Sequence, residues 1–387
     1  MGNTVDIVLI RQRRRRRRRM SKLLLGLLAV GLCVLVYVKR DVWFPRLEGI
    51  GSRYQNITQN EEPDAEGNYP LSVSGGVDYY TSFVGNTMFI LCDMYVYIYS
   101  VEGSFKESRQ HAYSNAVMET NENRCLLYSC NGTKFRVDSA NKLIYENTME
   151  RPILFARIGE NGNVAVVTES DTYACRLNVF DATGKLIYSR DCVERLLDVS
   201  LRDNGCVFAT LGAENGDLVT TLQSVSFENN ETEWTSAPLT TLCMKAYALS
   251  DGGAFVIGDT KCAYYSSTGD IQSIVDYTGT LADYEFSEER AAVLLENEER
   301  RQSQLLLFSQ LAAKPASVSI PYIAKSVDVD EEKAYLLGSQ YIESFAFSGE
   351  RMAELKVSDS YEQLVKNGKF FYLLGYDKIN RINMNKS

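Results

Sequence analysis

From residue 69 to residue 387 the chain repeats one texture: short runs rich in Val, Ile, Leu, Phe and Tyr, each closed by a polar turn every eight to twelve residues. Alternation over runs this short predicts strands, and no stretch here carries the sustained 3.6-residue period of a long amphipathic helix. One turn recurs after an alternating strand, as "FVGNT" at 83, "METNEN" at 118, "RIGENG" at 157, "SLRDNG" at 200, "LSDGG" at 249, "FSEER" at 286, "VDEEK" at 329 and "VKNGK" at 365. Taking Asn86, Asn123, Gly162, Gly205, Gly252, Glu289, Glu332 and Gly368 as markers, the spacings are 37, 39, 43, 47, 37, 43 and 36 residues. Such a period is the length of a four-stranded propeller blade.

A second turn falls between successive members of the first series, from "YSVEGSFKE" at 99 and "FDATGKLIYS" at 180 to "FSGERMAEL" at 347, seven in all. The last repeat has room for strands near 360–365, 369–374 and 378–383, and then the sequence ends. The missing fourth strand is expected upstream, in "YPLSVSGG" at 69–76, with residues 71–75 pairing against 378–383. That closure would cover otherwise open strand edges. The fold read from the pattern is all-β: an eight-bladed β-propeller of four-stranded antiparallel blades, preceded by one N-terminal transmembrane helix.

The helix comes from a different pattern. Residues 23–38 hold no charged side chain, and extension back to Met20 admits only Ser21 and Lys22 as polar members, enough to cross a hydrocarbon core. Arg11, Arg13 to Arg19 and Lys22 precede it, whereas Lys39, Arg40 and Arg46 follow closely. The excess of cations on the N-terminal side orients the tail to the cytoplasm and the rest outside. The segment "YVKRDVWFP" has no small-residue cleavage site, Cys33 follows Leu32 rather than a small residue, and Asp6 stands where myristoylation wants Ser or Thr. An uncleaved signal-anchor is therefore expected. The domains are a cytoplasmic basic tail at 1–20, the span at 21–40, a linker or stalk at 41–68, and the extracytoplasmic propeller at 69–387. Residues 1–40 carry eleven Lys/Arg and one acid; the remainder carries 30 Lys/Arg against 49 Asp/Glu, a net charge of −19. This balance disfavours nucleic acid as a partner and favours a basic one, or serves solubility alone.

"NVFDATGKLIYSRD" at 178–191 resembles the blade hairpin of quinoprotein-like and WD-repeat-like propellers, with Asp, Gly and Lys in the turn. The resemblance spans roughly 69–387 at the level of fold. The order of basic tail, span and outward propeller also resembles single-pass membrane-anchored propeller proteins of Gram-positive anaerobes, which carry no assigned activity. Quinoprotein repeats place a docking Trp at the end of the hairpin; Tyr188 stands there, and Trp43 and Trp234 are the two tryptophans of the chain. The resemblance thus implies the propeller without its quinone, and no cofactor is expected.

Candidate chemistry is sparse. His111 is the single histidine, which excludes a multi-histidine metal site and makes any Ser-His or Cys-His arrangement depend on it. Its setting, "ESRQHAYSNA", reads as an exposed inter-blade loop. The strings "DVDEE" at 328 and "ENEER" at 296 read as solvated turns. Eight cysteines follow the span; if "DATGK" centres its turn between Thr183 and Gly184, Cys175 and Cys192 lie directly opposite. They are the candidate disulfide, the alternative being buried free thiols. No catalytic, cofactor-binding or metal residue is assigned. The expected function is a non-catalytic binding or scaffold module for a protein or cell-envelope component, acting through loops or channel. The alternative is an extracytoplasmic hydrolase of glycoside-hydrolase type, using two carboxylates at the channel mouth.

Overall fold

The computed structural model describes residues 67–73, 78–287 and 289–383. The basic tail, the span and the stalk up to residue 66 lie outside them. Among the described residues no helix is long and apolar enough to cross a membrane.

Eight four-stranded antiparallel sheets follow one another along the chain. The innermost strands, here strand a of blades 1 to 8, are Tyr80–Val84, Ala116–Thr120, Ile153–Ile158, Arg195–Arg202, Cys243–Ala248, Thr280–Ser287, Ser326–Val329 and Tyr361–Asn367. In blades 1 to 7, strands b, c and d succeed strand a as an up-and-down meander. The eight predicted markers all fall in the a–b turns or at their edges. Strand b is wholly buried in blades 1, 2, 3 and 5, at Thr87–Leu91, Cys125–Ser129, Val164–Thr168 and Ala254–Gly258. Continuous apolar runs rather than alternation mark these strands because both faces of each blade are covered by neighbours.

Blade 8 takes its fourth strand from the other end of the domain. Leu71–Ser72 pairs antiparallel with Lys378–Ile382, in the register Leu71 to Ile379 and Ser72 to Lys378. The Val73 amide donates to the Asp377 carbonyl at 2.8 Å. The expected closure is therefore present, shortened to two paired residues, with positions 74 and 75 outside the described residues. Just upstream, the Asn68 amide donates to the Glu102 carbonyl at 2.9 Å and its side-chain amide to Ser104 Oγ at 2.9 Å. Arg381 donates to the Val101 carbonyl at 2.6 Å and to Glu102 at 2.8 Å, which fastens blade 8 to the c–d turn of blade 1.

The core is distributed rather than central. Eight clusters of buried apolar residues occupy the eight junctions between neighbouring blades. Aromatic side chains on strand d reinforce several of them. Tyr145 of blade 2 lies under Gly184 of blade 3, and Trp234 of blade 4 under Gly269 of blade 5; a Cβ on either glycine would come within 2.7 Å of the ring. Both glycines have positive φ, 87° and 83°, in a c–d turn followed by a register shift. Glycine is needed there twice over, for the left-handed turn and for the close approach. Tyr69 repeats the arrangement across the closure, 3.0 Å from the Cβ position of Gly103. Tyr188 packs on Phe227 of blade 4 with ring centroids 4.9 Å apart, and so fills the docking place of a tryptophan.

Candidate interaction face and channel

In this meander the a–b and c–d turns lie at one face of the ring, and the b–c turns and d–a connections at the other. The two faces are chemically different. On the first, polar side chains close the turns on themselves: Asn121 Oδ1 accepts from the amides of Asn123 and Arg124 at 2.9 and 2.8 Å. Asp251 Oδ1 accepts from Gly253 at 2.8 Å, and Asp330 Oδ1 from Glu332 and Lys333 at 2.8 Å. Asp181 Oδ1 does the same in the "DATGK" turn, and the Thr183 hydroxyl, with the Lys185 and Thr183 amides adding to it, holds its carboxyl below the usual range. These are Asx turns, the physical content of the recurrent sequence signal. Asn121 also donates to the Gly159 carbonyl of blade 3 at 2.6 Å, and Asn367 to Gly85 of blade 1 at 3.2 Å. This face is a hydrogen-bonded rim.

The opposite face carries apolar side chains in water. Fourteen large apolar residues are exposed among the described residues, and eight of them stand at the b–c and d–a ends: Tyr80, Met94, Tyr95, Tyr173, Val193, Leu218, Met244 and Tyr376. Val193 is 82% and Tyr376 71% exposed. They fall into two sectors, blades 8 and 1, and blades 3 to 5. Of the other six, Phe105, Leu143, Leu186, Ile187 and Met352 stand in the first two positions after a c–d turn and Ile274 lies mid-strand; none occupies an a–b turn. Scattered apolar exposure is ordinary; the two most exposed of the fourteen, Val193 and Tyr376, are both on the b–c and d–a face. An open groove of about 420 Å³ lies at the same end of blade 6, lined by Thr278, Glu296, Arg300 and Gln304 among others.

The channel is lined by strand a. Arg157 of blade 3 donates to Glu119 of blade 2 at 2.8 Å and to Asp198 of blade 4 at 2.7 Å. Burial pulls its guanidinium down, but the two carboxylates outweigh that and hold it above its ordinary value. Asp198 in turn accepts from the Ala246 amide of blade 5 at 2.9 Å. The motif recurs: Asp283 of blade 6 accepts from Val327 of blade 7 at 2.8 Å, and Asp328 of blade 7 from Lys366 of blade 8 at 2.6 Å. Each inner strand is an edge whose amides need acceptors, and the preceding blade supplies them. Burial pushes the carboxyls of Asp283 and Asp328 up, with the bonded amides opposing it. Glu285 is wetted by the channel yet ringed by protein; desolvation pushes it up to about 7, with Asp283 adding to it and Lys245 opposing. Its carboxylate accepts from the adjacent Phe286 amide at 3.1 Å. Tyr80, from blade 1, feels Glu119, Glu285 and Arg157 together, so four blades meet here.

Two sequence expectations need correction. His111 does sit in the blade 1–2 connection, but it is buried: its Nδ1 accepts from the Tyr113 amide at 3.1 Å and its Nε2 faces the Cys92 carbonyl at 3.0 Å. Both ring nitrogens are occupied by main chain, and burial lowers its pKa. Asp328 is not a solvated turn residue but a strand residue bonded to the next blade, because "VDVD" ends strand a and the turn begins only at Asp330. Cys175 and Cys192 are directly opposed, as expected, and both are free thiols. Directly opposed positions hold Cβ atoms about 4.5–5.5 Å apart, slightly beyond disulfide range. The apolar face was not read from the sequence. Its only sequence signal is an apolar residue beside a turn, as in "DCVERL" and "LGYDK", which is too local to reveal a face.

Among solved structures, the C-terminal WD40 domain of Sif2 superimposes with a TM-score of 0.58 at 9% identity, covering 83% of this chain and 99% of that one. Sqt1 of Saccharomyces cerevisiae gives 0.54 at 9% identity over 80% and 100%. BamB of Moraxella catarrhalis gives 0.53 at 10% identity over 83% and 97%. Identities this low speak for the propeller fold alone. No curated protein matches the sequence. A family profile does, over residues 58–384, which takes in the whole ring and its closing strand: the chain belongs to the Family of unknown function (DUF5711).

Proposed function

We propose that this protein is a non-catalytic binding module, held to the cell membrane by its N-terminal segment with the propeller outside, and that it docks a protein or envelope component on the face bearing the b–c and d–a loops. The observation that carries this reading is that eight of the fourteen exposed large apolar side chains, the two most exposed, Val193 and Tyr376, among them, stand on that face. The first described residues, 67–69, meet the c–d turn of blade 1 at the other face. Four of the channel carboxylates favour the same reading over a carboxylate hydrolase. Asp198, Asp283 and Asp328 serve backbone amides, and Glu119 pairs with Arg157. Carboxylates so engaged hold blades together rather than flank a scissile bond. The negative balance adds that a partner drawn electrostatically carries a basic face and binds more weakly as salt rises.

The test is site-specific photo-crosslinking in intact cells, with the photoreactive residue placed at Val193 or Tyr376, and at Glu122 or Glu331 on the opposite face. Adducts of one recurrent mass from the first pair alone support the reading. Adducts from the second pair, or from neither, overturn it, as does turnover of glycan, ester or peptide substrates by the purified protein. Orientation is checked separately by labelling exposed Lys142 with a membrane-impermeant amine reagent; protection of Lys142 in intact cells would refute an outward propeller.

A further inference from the structure

Blade 3 holds two cysteines at the open end of its outer hairpin, the end that leads into exposed Val193. Cys175 begins strand c, Cys175–Phe180, and Cys192 ends strand d, Leu186–Cys192. They are register partners, and both are buried. Cys175 Sγ also faces the Glu194 carbonyl at 3.6 Å, and Cys192 Sγ the Arg190 carbonyl at 3.8 Å. We infer that Cys175 and Cys192 form a redox-active dithiol that closes to a cross-strand disulfide by exchange with a low-molecular-weight disulfide and reopens with a thiol reductant.

Two observations set this pair apart from the other cysteines of the propeller. The first is juxtaposition: no other two of the eight described cysteines are register partners. The second is electrostatic. The neighbouring Cys192 thiol first, then the Leu196 amide and the Arg195 charge, pull the Cys175 thiol down to about 7 against the opposing effect of burial. Cys192, which keeps the shared proton, is pushed up. Burial, with nearby carboxylates adding to it, drives Cys92, Cys206 and Cys262 upward, to about 11, 12 and 12. A thiolate beside a protonated thiol is the arrangement that attacks and then resolves.

The step balances. The Cys175 thiolate attacks one sulfur of the incoming disulfide, its S–S bond breaks, and one thiolate leaves as a mixed disulfide forms. Cys192 gives up its proton and attacks the Cys175 sulfur, expelling the second thiol. Two protein thiols are oxidised and one external disulfide is reduced to two thiols, which carry the protons. Directly opposed Cβ atoms must close by about 1 Å to reach disulfide geometry. Both thiols are buried in the blade 3–4 junction, so exchange passes through a local opening of the hairpin, whose strand d is the outermost of its sheet.

The test uses the full-length protein in detergent with oxidised glutathione, followed by alkylation and tryptic mapping. The expected product is peptide 158–176 linked to peptide 191–195, two hydrogens lighter than the sum of the free peptides and abolished by dithiothreitol. The other described cysteines should remain alkylated. Cys192→Ser should stop at a glutathione adduct on Cys175, whereas Cys175→Ser should leave Cys192 reduced; both are checked for folding by circular dichroism. Full alkylation of both cysteines in the unmutated protein, stable glutathione adducts on each, or a link to any other cysteine would overturn the inference.

Discussion

Glu285 shows how a single side chain sets a pH response. Its carboxyl stands at about 7 rather than at the ordinary 4.5, so the folded state keeps a proton that the unfolded chain loses between those values. Stability attributable to this group is therefore present below about 4.5 and declines as pH rises through that window. Asp283 and Asp328, raised in the same direction, steepen the decline, while Lys245 opposes it. The melting temperature should be higher at pH 5 than at pH 8, and Glu285→Gln should shrink that difference; an unchanged slope would refute the assignment. Asp198 is a fastener. Asp198→Ala removes one of the two carboxylates on half-buried Arg157, which keeps Glu119, and leaves the Ala246 amide without its acceptor, a loss of about 1–3 kcal/mol expected for an unsatisfied buried donor. Denaturant unfolding reads it directly. Gly269→Ala forces a Cβ to within 2.7 Å of Trp234 at φ 83°, whereas Gly216, at φ 94°, has nothing within 4 Å. Alanine at 269 should cost clearly more than the roughly 1–3 kcal/mol of left-handed strain that both share.

At the scale of elements, the closing strand is short and its anchorage is mostly aromatic. Tyr69 is buried, packs edge-on against Tyr372 with centroids 5.8 Å apart, and lies under the Arg381 guanidinium. Tyr69→Ala should cost about 3–5 kcal/mol, comparable to a large core truncation, although only two residues beside it pair as strand. If unfolding is unaffected, the closure carries no load. This element was legible in advance because two turn series of unequal number demanded a strand from elsewhere. Turn positions were legible for a related reason: Asn121, Asp181, Asp251 and Asp330 fold their own main chain locally, and local bonds leave local signals. Asp198, Asp283 and Asp328 were opaque. Their partners lie a whole blade further on, and nothing near them in sequence distinguishes an acid that bonds a neighbouring blade from one that faces water. His111 was misread for the same reason, since its burial depends on Cys92 in another strand turn.

At the scale of the whole ring, one face closes its turns with hydrogen bonds and the other carries the two most exposed apolar side chains, Val193 and Tyr376. Val193→Glu with Tyr376→Glu places charge where two exposed apolar residues stand, and surface changes of this kind shift stability within about 0.5 kcal/mol. The double variant should melt with the unmodified protein yet lose crosslinks formed from elsewhere on that face. Equal loss of stability would mean these residues are structural. The closure has a further consequence in time. Residues 71 and 72 emerge from the ribosome before any blade, but their partner, Lys378–Ile382, follows all the other strands of the ring. Contacts this distant in sequence form slowly, and an unpaired edge meanwhile invites pairing with other chains. Until residues 378–382 are in place, the second strand of blade 8 keeps an open edge and Leu71–Ser72 has no partner, so the joint leaves a window during synthesis in which the nascent ring is exposed to association.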